Sequence, residues 1–191
     1  MERHFDSSRM LGPEQQRELL RLARDSMRAA VHQEELASQG GEFGYPSGYG
    51  AFVSLHKFGH ELRGCIGCLT STIALFEVVE KMAKSAALSD PRFEPVQPEE
   101  IAEITIEISV LSPPAVVSDE SQLQLGLHGL VIEFGSKRGV LLPQVATNFD
   151  WDMPTFIAQT CHKANVSLAD YQAGHAKLLC FSAQVFSESS V

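Results

Sequence analysis

The residue types with the most chemistry at close spacing lie in Leu62-Arg63-Gly64-Cys65-Ile66-Gly67. Strand alternation through this stretch predicts Arg63, Cys65 and Gly67 on one face, with Leu62, Gly64, Ile66 and Cys68 nearer the other and Leu62 and Ile66 packed into a core. A guanidinium two residues from a thiol favours thiolate, because nearby positive charge lowers a cysteine pKa. Gly67 leaves space beside the sulfur. One reading is a reactive cysteine in an electropositive notch. The other is a structural cysteine between glycines that permit close backbone packing, since free cysteine is among the most buried residue types. Cys65 and Cys68 also spell C-x-x-C, a redox pair or half of a zinc site. On a regular strand, however, a separation of three sends the sulfurs to opposite faces. No second C-x-x-C completes four ligands, which leaves His56, His60, Cys161 and His162 as the side chains a metal would have to recruit.

Further polar candidates are scattered along the chain. Asp90 and Arg92 in Ser-Asp-Pro-Arg-Phe either contact a ligand or build a turn in which they pair with each other. Glu107 alternates with isoleucines and therefore faces away from their core, as a general base or as a solvated carboxylate. His128, before Gly129, is the best-placed base for neutral pH, since an unperturbed histidine titrates at about 6.5; the plainer reading is a turn histidine. Gln144 after Pro143 either caps the following segment or offers an amide to a carbonyl. Trp151 reads as a packing anchor, Cys161 as a core residue, and Cys180 as a strand cysteine with no evident partner.

The elements that must position these groups follow from periodicity. Leu19, Leu22, Ala23, Met27, Ala30 and Val31 recur at helical steps after Pro13, which suits a first helical turn. The Gly/Ser-rich stretch 38–50 reads as a loop. Ala51–Phe58 and Glu61–Leu69 read as strands that pair across a tight turn at residues 58–60. A helix is expected over 73–88, ending before Asp90-Pro91. Ile104, Ile106, Ile108 and Val110 alternate with Glu103, Thr105, Glu107 and Ser109, the pattern of a strand with one buried face. Residues 129–134 and 139–143 form a hairpin around Gly-Ser-Lys-Arg, a helix begins near Asp152 and Pro154, and 177–186 is a closing strand. Mixed elements with hairpin-length connections predict an α+β fold with antiparallel sheets.

Composition narrows the function classes. The chain has 191 residues, 44% hydrophobic and 20% charged, and carries a net charge of −9, so it is globular rather than disordered and an unpromising binder of phosphate backbones. The opening segment lacks a signal-peptide core and no run of eighteen apolar residues occurs, which predicts a soluble, cytoplasmic protein with reduced thiols and no membrane partner.

The blocks LRGCIG, SAALSDPRFEPV, IEISVLSPP, HGLVIEFGSKRGVLLPQVA, WD and FSAQVF stand in this order from about Ala51 to Phe186. In this the chain resembles the AMMECR domain family, also called AmmeMemoRadiSam system protein A. The resemblance implies an α+β domain of two lobes, each with an antiparallel sheet flanked by helices, and a cleft between them bordered by the six-residue motif. The larger lobe would hold about 1–113 and 172–191, the smaller about 114–171. It implies no particular cofactor, and it makes Memo-type and radical S-adenosylmethionine proteins the expected partners. Two positions depart from the family pattern: Cys68 stands where a small hydroxyl residue is expected, and Asn165 where a glycine is common. Asparagine still tolerates the left-handed conformation of a helix C-cap.

Together these readings give an enzyme or enzyme component with Cys65 as nucleophile or redox group and His128 or Glu107 as proton acceptor. Arg63, Gly64, Gly67, Arg92 and Gln144 would bind substrate, with backbone amides from Gly64 to Gly67 available to an oxyanion. The alternatives are a non-catalytic module that binds a small molecule, peptide or protein in the cleft, and a metal-handling protein.

Overall fold

The computed structural model describes residues 11–35, 48–58 and 61–190. The expected 38–50 loop falls mainly, and the 58–60 turn partly, outside these residues. Contacts divide the chain into two compact units, one built from Ser112–Ala183 and the other from the described residues up to Leu111 with those from Gln184 onward.

In the unit that holds the cysteine motif, Pro13 opens α1 (Pro13–His32), and the spacing of Leu19, Leu20, Ala23 and Met27 gives it one buried stripe. Two antiparallel strands follow, β1 (Gly50–Lys57) and β2 (Glu61–Cys68), then α2 (Leu75–Leu88), a 3₁₀ turn at Pro98–Glu103 and β3 (Thr105–Leu111). β1 lies between β2 and β3, antiparallel to both. Val53 and Leu55 of β1 and Ile106 and Ile108 of β3 pack with Val78, Val79 and Ala83 of α2 and with the α1 stripe in one core. The helices therefore cover one face of this sheet, and the residues of opposite parity, Ser54, His56 and Glu107, lie on the other.

Chain segments distant in sequence close this unit. Leu11 N donates to Gln184 Oε1 at 2.8 Å, and Gln184 Nε2 donates back to Leu11 O at 2.9 Å. The Glu188 carboxylate accepts from Arg24 of α1 and from Ile106 N of β3.

In the second unit, β4 (Ala115–Val116), β5 (His128–Phe134), β6 (Lys137–Leu141) and β7 (Lys177–Ser187) form antiparallel pairs: β5 with β6 and β7, and β4 with β7. The hairpin turn is tighter than the four residues read from the sequence, because Lys137 and Arg138 already pair in β6. Three helices complete the unit: α3 (Pro143–Asn148), α4 (Met153–Lys163) and α5 (Leu168–Gln172). Asp152 starts α4 by accepting from Thr155 N at 2.9 Å, and Asn165 adopts the expected left-handed conformation after it, with φ 54°. Leu130, Ile132, Phe156, Ile157, Cys161 and Leu178 make the core. Trp151 packs against that core and stacks on Phe149 at 5.0 Å, the anchor role expected of it.

Candidate functional site

Cys65 sits on β2, which among the described residues pairs with β1 alone, so half of its backbone groups lack a ladder partner there. The Ser-Asp-Pro-Arg-Phe segment after α2 supplies the missing ones. Cys65 N donates to Asp90 Oδ2 at 2.8 Å, and Arg92 Nη2 donates to Cys65 O at 3.2 Å. The same carboxylate accepts from Arg92 N and Nε on Oδ1, at 3.1 and 3.0 Å, and from Arg92 Nη2 on Oδ2 at 2.8 Å. Asp90 is only 4% exposed. The Arg92 guanidinium, followed by the Cys65 and Arg92 N–H groups, outweighs desolvation and holds its carboxyl well below the usual carboxylate range. Asp90 and Arg92 thus form the mutual pair read from the sequence, and together they grip the Cys65 peptide. Since the Cys65 N–H is committed to Asp90, it does not serve as the oxyanion donor expected of this stretch.

Arg63 departs from its expected place beside the thiol. Leu55 pairs with Gly64 and His56 with Leu62, so Arg63 is the extra residue of a bulge and leaves the strand alternation. Its Nε and Nη2 reach Glu100 Oε1 and Oε2 at 2.9 Å each, and Nη1 reaches Glu94 O at 2.9 Å. Glu100 also holds Lys57 Nζ at 2.8 Å, and Arg63 with Lys57 pushes its carboxyl down to about 2. With its donors engaged, Arg63 does not tune the thiol. Arg92 is the cation held at Cys65, through its Nη2 bond to the Cys65 carbonyl, and its own pKa is raised first by Asp90. The bulge has a second effect. Leu62 stands opposite His56 and is not among the residues of the core, contrary to the regular-strand expectation, whereas Ile66 does pack against it.

Across the face opposite the helices, Ser54 stands in register with Cys65 on one side and with Glu107 on the other. Ser54 Oγ donates to Cys65 Sγ at 3.2 Å. Cys65, Ser54 and Glu107 are all half-buried, so the thiol is not sealed in the core. His56 follows Ser54 by two residues on this face. Both of its ring nitrogens are closed off from solvent and have no hydrogen-bond partner among the described residues. Ser54 is not a site residue in the sequence reading and His56 enters it only as a side chain a metal could recruit, yet the signal for both is present in the alternation of Phe52, Ser54 and His56 against Ala51, Val53 and Leu55.

The two glycines of the motif are spacers. A Cβ on Gly64 would lie 2.2 Å from Ala86 O of α2, and one on Gly67 would lie 2.3 Å from the Phe52 ring. Their surroundings are filled by protein, which favours close packing over the substrate contact expected for them. Cys68 packs against the core while Cys65 lies with Ser54, so the C-x-x-C sulfurs do not form a pair. Burial pushes the Cys161 and Cys180 thiols up. Among the described residues, no group of three His, Cys, Asp or Glu side chains is placed to hold a metal ion.

His128 and Gln144 belong to the other unit. His128 Nδ1 accepts from Gln124 N at 3.0 Å, the turn role, and burial lowers its pKa and favours the neutral ring. Gln144 lies in the first turn of α3, where its carbonyl accepts from Thr147 Oγ1 at 3.0 Å. Within the motif's own unit, the structure brings together Cys65, Glu107, Arg92 and Asp90 of the candidates, with Ser54 and His56 added.

Comparison with known proteins decides the family, because the AMMECR1 family model matches residues 20–186. The chain belongs to the AMMECR1 family. An AMMECR1-family protein of Methanothermobacter thermautotrophicus is 42% identical over 145 residues, covering 73% of this chain and 75% of its own length. Protein MJ0810 of Methanocaldococcus jannaschii is 40% identical over 146 residues, covering 73% of each chain. The crystal structure of the uncharacterized protein PH0010 from Pyrococcus horikoshii superposes with a TM-score of 0.80 at 33% identity, over 91% of both chains. Among the described residues, no helix of this AMMECR1-family chain is long and apolar enough to cross a membrane.

Proposed function

We propose that this domain is a thiol-dependent enzyme or enzyme component in which Cys65 is the nucleophile and Arg92 holds an anionic group of the substrate. The observation that carries this reading is the environment of Cys65: its sulfur accepts a hydrogen bond from Ser54, and the Arg92 guanidinium is bound to the carbonyl of the same residue. A donor and a cation at a partly accessible sulfur are the surroundings of reactive cysteines, whereas structural cysteines sit in apolar ones. The Arg92 side chain is 55% exposed, and its Nη1 has no hydrogen bond among the described residues, so a carboxylate or phosphate can approach it. Glu107, across Ser54 from the thiol, is the carboxylate available for proton transfer.

The same Arg92 favours a second reading, a non-catalytic module that binds an anionic ligand or protein beside Cys65. Memo-type and radical S-adenosylmethionine proteins are the partners proposed under either reading. Brief iodoacetamide treatment near neutral pH with mass-spectrometric mapping separates the two. The catalytic reading expects Cys65 to be alkylated first among the four cysteines, and Arg92→Gln to slow it several-fold. Preferential labelling of Cys161 or Cys180, or an inert Cys65, overturns it.

A further inference from the structure

We propose that His56 completes a thiol–imidazole–carboxylate triad with Cys65 and Glu107, taking the proton of the thiol while Glu107 stabilises the resulting imidazolium. This rests on the reading of Cys65 as a nucleophile and names its base. The placement follows from register. β1 runs between β2 and β3, and Ser54 is opposite both Cys65 and Glu107. His56, two residues on along the same face, is therefore the diagonal neighbour of the thiol on one side and of the carboxylate on the other. Diagonal positions across a regular antiparallel pair are about 7–8 Å apart, a span that long and aromatic side chains bridge; this describes His56 and Glu107, whereas on the β2 side the Arg63 bulge adds a residue to the step between His56 and Cys65.

The second observation is independent of that register. Both His56 ring nitrogens are shut off from solvent and neither has a hydrogen-bond partner among the described residues. An imidazole whose two nitrogens are closed off from water and unmet is costly unless partners arrive. A triad histidine requires two such partners, the nucleophile at one nitrogen and the orienting carboxylate at the other. Hydrogen bonds of this kind are often loose before substrate binds and tighten afterwards.

The other charged groups around the ring are engaged elsewhere. Thr105 and Leu62, in register with His56, carry no charge. Lys57 is held by Glu100 and Glu103, Arg63 by Glu100, and Asp90 by Arg92. Among the described residues, Cys65 and Glu107 are left as the titratable groups on its face of the sheet. In the proposed step the Cys65 S–H bond breaks and its proton moves to a His56 nitrogen, giving thiolate and imidazolium. With iodoacetamide as the electrophile, the S–C bond forms, the C–I bond breaks and iodide leaves. The imidazolium then returns its proton to solvent.

The test is the pH dependence of Cys65 alkylation by iodoacetamide in the wild type, His56→Gln and Glu107→Gln. At about pH 6.5, near the histidine range, His56→Gln is expected to slow alkylation about tenfold or more. At about pH 9.5, where a thiol ionises without help, the two rates should converge to within about threefold. Glu107→Gln should give a smaller loss with the same pH dependence. A rate within about threefold of wild type at the lower pH, or an equal loss at both, overturns the triad. Should His56→Gln fail to fold, NMR titration of the His56 ring in the wild type, with Cys65 free and then capped as the methyl disulfide, reads the same coupling. A shifted midpoint supports the triad and an unchanged one refutes it. If wild-type Cys65 is itself inert, the thiol reading fails; if Cys65 reacts but His56→Gln changes nothing, the triad alone fails.

Discussion

Replacing Asp90 with asparagine tests the grip on the Cys65 peptide. Both carboxylate oxygens are acceptors for two donors each: Oδ1 for Arg92 N and Nε, Oδ2 for Cys65 N and Arg92 Nη2. An asparagine cannot reproduce this, because either flip of the amide turns its NH₂ toward two other donors. Breaking a buried ion pair by removing one partner costs about 3–5 kcal/mol. Asp90 is buried, but the stranded Arg92 side chain is 55% exposed and is re-solvated, which brings the expected loss to about 2–4 kcal/mol at pH 7. The sign of the pH dependence is fixed by the lowered folded-state pKa of Asp90. Its contribution is fully present above the unfolded carboxylate value of about 3.9 and is lost as the pH falls from there through the folded value. The difference between wild type and Asp90→Asn should therefore shrink by about 1 kcal/mol between pH 7 and pH 3. Urea unfolding followed by far-UV circular dichroism at the two pH values measures both quantities. A loss below about 0.5 kcal/mol at pH 7, or a difference that does not change with pH, would refute the reasoning.

Gly64→Ala drives a Cβ to 2.2 Å from Ala86 O and should cost about 1–3 kcal/mol or more, whereas Gly135→Ala, with φ +60° and open space around it, should cost about 1–2 kcal/mol from backbone strain; urea midpoints rank the two. Glu100→Gln removes the shared partner of Arg63 and Lys57 and should lower stability by about 1–3 kcal/mol at neutral pH. That deficit should fade in urea titrations as the pH drops from about 4.3 toward the folded value near 2. With a net charge of −9 and dispersed basic residues, the protein should show no saturable binding to a short DNA or RNA by fluorescence anisotropy at about 0.15 M salt.

The strands and longer helices were legible because their apolar spacing is strong. Ile104, Ile106 and Ile108 fix the face of β3, and Pro13 and Asp152 mark helix starts that the structure contains. Helices α3 and α5, of six and five residues, are too short for a period to register. At the site, regular alternation placed Cys65 and Glu107 on the faces they occupy but failed at Arg63 and Leu62. A bulge adds one residue without changing composition, and no residue between His56 and Gly64 announces it. The loss of Arg63 as a thiol neighbour and the arrival of Arg92 are tertiary facts, set by where the segment after α2 meets the edge of β2. The place of His56 beside Cys65 and Glu107 is hidden for a similar reason: an alternating strand names its face, but only the pairing of β1 with strands on both sides puts a thiol and a carboxylate on either side of it.

The bonds from Gln184 and Glu188 to Leu11, Arg24 and Ile106 also set an order for biosynthesis. Residues 112–183 are all synthesised before these two acceptors, so a chain that ends at Ala183 holds all of them while the cysteine-bearing unit still lacks the end of β7 that pairs with β3. Until then the edge of β3 that pairs with the end of β7 is uncovered, the kind of surface that invites pairing with another chain. Contacts spanning 173 residues make closure a late and slow event. A released chain truncated after Ala183 should accordingly protect 112–183 from protease and leave 61–111 open to it.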